Sequence, residues 1–299
     1  NINWNEKKFD IKNYKLSELI YWFKTPQKYW LNKNNISPKE IFIHHPDEEY
    51  VSNLQKSQLI TKIIQQVEID NHNIIDDLNE LNINDQLAEN GIIMPKNSIF
   101  TKEKEIKDLL SSLCESLSQH NKINKIYVKL NANKEEYLIA DDTVIELINA
   151  KLSLSRLTEA WIKLLFISSL KRNIKRTKVI FRTENNYKSQ IIQSPGAAES
   201  NLILEEYINI FKNYSEKCLP LPPESAYKYV EAKIKSKNEK KAFTDKWIGN
   251  KNFSKGERDN IEMKMCFGNE KEPDFFLGNN NFDQLSYRLY GPLIKALKK

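Results

Sequence analysis

Apolar residues at Ile106, Leu109, Leu110, Leu113 and Leu117 recur at helical spacing. Ile126, Val128 and Leu130 then alternate with polar neighbours, as in a half-buried strand. Tyr137, Leu138 and Ile139 give a second short strand, Asp141 and Asp142 a turn, and 144 to 148 a third strand. After Lys151 the helical period returns through Leu154, Leu157, Trp161, Leu164, Leu165 and Leu170, and Val179, Ile180 and Phe181 form a further strand. The middle of the chain therefore reads helix, three strands, helix, strand.

The flanks are mainly helical. Ser17 is placed to cap a short helix carrying Leu19, Ile20, Trp22 and Phe23. Thr25-Pro26 starts a second helix, with Tyr29, Trp30 and Leu31, because a first-turn Pro loses no hydrogen bond. So much aromatic area within a short span calls for burial. A strand is expected at Ile41, Phe42 and Ile43, then a helix bearing Leu59, Ile60, Ile63, Ile64 and Val67, then short helices and loops over 68 to 100. Ser194-Pro195 marks the start of a helix with Leu202, Leu204, Tyr207, Ile208 and Phe211, and Pro220, Pro222 and Pro223 enforce an extended break. A helix is expected from 224 to about 235, loops from 236 to 282 and a closing helix at about 283–298. The organisation expected is one domain over 1–219 and an extension over 220–299 packed upon it.

Composition narrows the class. With 299 residues, 40% hydrophobic and 29% charged, the chain is too apolar for disorder and long enough to bury a large core. Its net charge of +6 suits a polyanionic partner, although the Lys excess beside abundant Asn and Ile also follows from AT-rich codon usage. Cys114, Cys218 and Cys266 lie far apart, with no CxxC pair, and read as reduced thiols without a zinc site. No apolar run is long enough to span a bilayer, so a cytoplasmic location and no membrane partner are expected. A start at Asn1 in place of Met suggests a piece of a longer polypeptide. With seven Gly and no GxxxxGK[ST] loop, no nucleotide cofactor is expected.

The helix, three-strand meander, helix and strand follow the core order of the PD-(D/E)xK nuclease fold (αβββαβ), an α/β class here carrying added helices and a loop-rich C-terminal extension. In active members two carboxylates converge on Mg²⁺ and a Lys helps to activate the attacking water. Here the third strand ends in Asn149-Ala150-Lys151, with a neutral amide where the metal-binding acid belongs, and Asp141 or Asp142 as the nearest candidates for the other acid. No catalytic residue and no metal are therefore assigned, and Asp141, Asp142, Asn149 and Lys151 are vestigial positions. Glu146 lies three residues before Asn149 and so on the opposite face of the strand. His44-His45 has no matched carboxylate and reads as loop structure. Lys171, Arg172, Lys175, Arg176 and Lys178 form the densest basic run, followed by Arg182 and Lys188; they are either phosphate contacts or a solvated face. Lys233, Lys235, Lys237, Lys240 and Lys241 are diluted by Glu231 and Glu239 and read as a solvated helix.

Three further landmarks resemble the C-terminal domain of RecC. They are Leu16-Ser17-Glu18-Leu19-Ile20-Tyr21-Trp22-Phe23-Lys24-Thr25-Pro26 with Tyr29-Trp30, the loop Leu219-Pro220-Leu221-Pro222-Pro223-Glu224-Ser225-Ala226 with Tyr227, and Phe282-Asp283-Gln284-Leu285-Ser286-Tyr287-Arg288-Leu289-Tyr290-Gly291-Pro292-Leu293. The resemblance implies a subunit of the RecBCD exonuclease V complex, which processes broken DNA ends for recombination. Its C-terminal domain keeps a nuclease fold without the acids, contributes to strand separation and holds RecD. RecB, RecD and DNA are the partners implied. Two other readings stay open: an active Mg-dependent single-strand nuclease of the AddB or RecB type using Asp142, a displaced acid and Lys151, and a pure protein-docking module.

Overall fold

The computed structural model describes residues 15–37, 60–61, 85, 96–118, 123–130, 133–170, 173–250, 254–269 and 271–297. Expectations for Ile41 to Ile43, for His44-His45 and for most of 59 to 95 lie outside those residues.

At the centre is helix α3 (Lys96–Ser118), then strands β1 (Asn124–Leu130), β2 (Asn133–Ala140) and β3 (Thr143–Ile148), helix α4 (Leu154–Leu170), and strands β4 (Arg176–Arg182) and β5 (Tyr187–Gln193). The five strands form one sheet in the order β1-β2-β3-β4-β5. β1, β2 and β3 make an antiparallel meander; β3 and β4 run parallel, as a helical crossover through α4 requires; β5 returns antiparallel to β4. Asp141 and Asp142 form the tight β2–β3 turn, with Asp141 at φ 53°, a left-handed conformation that Asp tolerates.

The sheet is covered on both faces. Against one lies α3, whose Ile106, Leu109, Leu110, Leu113 and Leu117 join Ala140, Ile145, Ile180 and Tyr187 in a satellite core that also takes in Ile60. Against the other lies α4, with Leu157, Trp161, Leu164 and Leu165 packing on Ile139, Val144, Val179 and Ile192. The alternation of buried strand residues between two cores is what period-2 side-chain geometry dictates.

The second core continues into α1 (Leu16–Lys24), α2 (Pro26–Lys33), α5 (Ala197–Tyr214) and α6 (Pro223–Ile234). Trp22 and Phe23 are buried and stack edge-on or tilted against Phe211 and Tyr207. The Trp161 indole donates to the Tyr207 hydroxyl at 3.1 Å, and that hydroxyl donates to the Leu289 carbonyl at 2.8 Å. Pro26 and Pro223 each sit in the first turn of their helix. The buried Gln27 amide donates to the Leu219 and Leu221 carbonyls at 2.8 and 3.1 Å, so it ties the Leu-Pro segment to α2.

Residues 236 to 282 are not loop-rich. They hold α7 (Glu239–Ile248), a 3₁₀ turn (Glu257–Asp259), α8 (Ile261–Phe267) and α9 (Pro273–Leu277), and α10 (Phe282–Ala296) closes the chain. Asn238 caps α7 by accepting from the Lys241 amide at 2.9 Å. Phe243, Trp247, Phe276 and Phe282 form the aromatic cluster that holds this region together. Gly256 lies so close to the end of α7 that a Cβ there would meet the Trp247 carbonyl at 2.3 Å, and only glycine fits that approach.

Candidate functional site

Strand alternation sends Val144, Glu146 and Ile148 toward α4, and Ile145, Leu147 and then Asn149 toward the α3 side. The Asn149 amide is held from two directions. Its Oδ1 accepts from the Tyr187 hydroxyl at 2.9 Å, and its Nδ2 donates to Thr61 Oγ1 at 3.1 Å. Burial pushes the Tyr187 phenol well above its ordinary range, so it remains a neutral donor. Lys151, two residues on, points outward and pairs with Glu184 at 2.8 Å, both side chains being more than 70% exposed. That pairing holds the Glu184 carboxyl below the usual range. Glu136 shares the face of β2 that carries Leu138 and Ala140 and is exposed. It therefore faces the same side of the sheet as Asn149.

On the opposite face, Glu146 joins a half-buried ion network. Lys163 lies 3.3 Å from both Glu146 and Glu159, and Glu159 also takes Lys24 at 2.6 Å. Burial opposes the Lys163 charge, but the two carboxylates outweigh it and raise its pKa. Glu146 thus has a packing partner on α4 and is turned away from Asn149.

Asp141 and Asp142 do not join Asn149 and Lys151. They stand at the start of β3 while Asn149 follows its end, and at about 3.3 Å per residue the separation is roughly 20 Å. Asp142 accepts from the Thr143 hydroxyl at 3.0 Å and pairs with Lys175 at 3.2 Å and with Arg176 at 3.8 Å. Burial works against its charge, but these partners hold its carboxyl below the ordinary range. Its position serves the turn and the β3–β4 junction, because a hairpin turn and the far end of its strand cannot converge on one metal ion.

The basic run divides. Lys171 and Arg172 lie outside the described residues. Lys175 is exposed and Arg176 half-exposed, and both face Asp142. Lys178 and Arg182 are buried, at 7% and 9% exposure, since residues 176, 178, 180 and 182 share the sheet face beneath α3. Lys178 Nζ donates to the Ser116 carbonyl of α3 at 2.8 Å, which satisfies a buried ammonium with a helix C-terminal acceptor. Lys178 and Arg182 thus point into the packed interior, while Lys175 and Arg176 stay at the surface.

Sequence reading also missed two arrangements. Glu257 is buried and accepts from the Glu224 and Ser225 amides at 2.9 and 2.7 Å and from the Ser225 hydroxyl at 2.6 Å. It caps α6 from a distant segment, in place of Pro222, whose side chain offers no acceptor. The thiols of Cys218 and Cys266, far apart in sequence, come near enough for the Cys266 thiol to lower the Cys218 pKa. No local spacing announces either pairing, because both arise where the C-terminal helices fold back on α2 and α6. Among the described residues no cluster of three or more His, Cys, Asp or Glu is placed to hold a metal, and no helix is long and apolar enough to cross a membrane.

Comparison with known proteins agrees with the first two landmarks, and the third, at 282–293, lies beyond the matched residues. No curated protein matches the chain, but a family model described as the RecC C-terminal domain matches residues 11–234. That interval runs from the approach to α1 through the two-faced sheet to the end of α6 and includes the Leu-Pro segment that Gln27 fixes. With most of its length matched, the chain belongs to the RecC C-terminal domain family.

Proposed function

We propose that this chain is a non-catalytic part of the RecBCD exonuclease V complex, serving subunit assembly and the guidance of DNA strands in double-strand break repair. The observation that carries the reading is Asn149. The element order through β4, with β3 parallel to β4, supports a PD-(D/E)xK-like core, and in such a core the end of the third strand supplies a metal-binding carboxylate. Here that place holds a neutral amide, occupied by Tyr187 and Thr61. An amide oxygen offers Mg²⁺ no negative charge to offset dehydration of so tightly hydrated a cation. Lys151 is directed to Glu184, and the acids of the β2–β3 turn are committed at the other end of the strand.

Pure protein docking is a second reading, favoured by the burial of Lys178 and Arg182 and the pairing of Lys175 and Arg176 with Asp142. Co-elution of the purified chain with RecB and RecD, together with DNA retention measured across a salt series, distinguishes the two. Association with the partner subunits and a DNA affinity that falls as salt rises is the expected result. Partner association without salt-dependent DNA affinity selects docking alone, and failure to associate with either subunit contradicts both.

A further inference from the structure

Helices α6 and α7 form an antiparallel hairpin that is anchored at one end. Late in α7, Lys246 pairs at 2.5 Å with Glu224 at the start of α6, and Glu257 receives the first amides of α6. The Phe282 ring closes the middle, packing on Tyr229 of α6 and Phe243 of α7. The tip lies at the other end, roughly 18 Å along α6 from its anchored start. It turns tightly and is fixed by its own backbone. Ser236 takes a left-handed φ of 53°, the Lys237 amide donates to the Ala232 carbonyl at 2.9 Å, and Asn238 caps α7. Residues 235 to 238, 240 and 241 are exposed.

The lysines of the hairpin are not alike. Lys233 pairs with Asp283 at 2.5 Å, and Lys228 and Lys235 share Glu231. Lys237, Lys240 and Lys241, at the tip, have no carboxylate within ion-pair distance among the described residues. The acids nearest in sequence are Glu239, half-buried toward Tyr229, and Asp245, one turn beyond Lys241. The described part of the basic run at 171–182 offers nothing comparable, since Lys175 and Arg176 face Asp142 while Lys178 and Arg182 are buried.

We infer that the α6–α7 tip is a contact for the phosphate backbone of duplex DNA, made by Lys237, Lys240 and Lys241. The inference rests on the strand-guiding reading above and gives it a place on the molecule. An ammonium is a compact point charge that needs no fixed orientation toward a phosphate. No large apolar side chain of either helix is exposed, so the tip lacks a ring on which an unpaired base would stack. Contact through charge alone favours the duplex, whose two strands place about one negative charge per 1.7 Å of axis. The fixed turn and the Asn238 cap mean that docking orders little backbone. Such a contact carries no sequence information, which suits DNA ends of any sequence.

The test measures binding of the full chain to a labelled duplex by fluorescence anisotropy over about 50 to 200 mM salt. It compares the unaltered chain with the tip variant Lys237→Gln/Lys240→Gln/Lys241→Gln and with a charge-matched variant, Lys15→Gln/Lys28→Gln/Lys217→Gln, whose lysines are exposed elsewhere. Unchanged urea midpoints confirm that both variants fold. The tip variant should reduce the slope of log affinity against log salt by about 0.9 for each lysine removed, and the matched variant should leave it unchanged. Equal effects of the two variants show that affinity follows net charge and overturn the inference, as does an unaltered slope in the tip variant; the strand-guiding reading survives both results. A change confined to a single-stranded probe overturns the assignment to duplex. Loss of co-elution with RecB or RecD at an intact DNA slope makes the tip a protein contact and overturns the inference. An unaltered chain without salt-dependent DNA affinity removes the strand-guiding reading itself, and the inference with it.

Discussion

Glu257 is a carboxylate sealed inside the protein at the N-terminus of a helix. Two backbone N–H groups and the Ser225 hydroxyl favour its charge, but burial outweighs them and its pKa is pushed up to about 7. In the unfolded chain it titrates near 4.5, so between these values the folded state binds more protons than the unfolded state. Stability from this group is fully present below about pH 4.5 and is lost as pH rises through about 7. Urea midpoints measured from pH 4 to 8 should fall over that window, and the Glu257→Gln variant should flatten the fall; a midpoint that rises through the window in both proteins contradicts the assignment. Asn149 illustrates a different limit at this scale. Its identity was plain in the sequence, and so was its place at a strand end. Its partners Tyr187 and Thr61 were not, because they stand 38 and 88 residues away in sequence, where no local spacing announces a contact.

At the scale of elements, periodicity made α3, α4, α5 and the β1 to β4 strands legible, while first-turn prolines and apolar clusters announced α1, α2, α6 and α10. β5 escaped because Lys188, Ser189 and Gln190 interrupt its apolar positions; it is an edge strand defined by main-chain pairing with β4. α7 escaped because half of it is charged and its burial rests on two aromatic residues four apart, Phe243 and Trp247. That division gives a direct prediction. Trp247 is 1% exposed, packs on Phe276 and donates its indole N–H to the Lys271 carbonyl at 2.8 Å. Trp247→Ala should cost about 3–5 kcal/mol, whereas the exposed Lys240→Ala on the same helix should stay within about 0.5 kcal/mol. Chemical denaturation of the two variants checks this, and equal effects would show that the aromatic cluster does not hold the C-terminal helices. The reading of 236 to 282 as loops failed for the same reason: short helices pinned by a few aromatics leave little periodic trace.

The whole molecule is a sheet covered on both faces, with its second core running without a break into the N-terminal and C-terminal helices. The order of elements along the middle of the chain was readable from periodicity alone. Which side chains converge was not, since convergence depends on strand direction and register. Register places Asp142 and Asn149 at opposite ends of β3, and it turns Lys178 and Arg182 inward. The central claim is the proposal that Asn149 stands, engaged by Tyr187 and Thr61, where a nuclease would place a metal-binding acid, and metal-dependent cleavage tests it most directly. The purified chain would be incubated with labelled single- and double-stranded DNA in Mg²⁺ and in Mn²⁺, beside Glu136→Gln and Lys151→Ala variants. Intact DNA in every lane is the expected result; metal-dependent cleavage by the unaltered chain that is lost on substituting Lys151 would contradict the account and restore an active site around a rearranged acid.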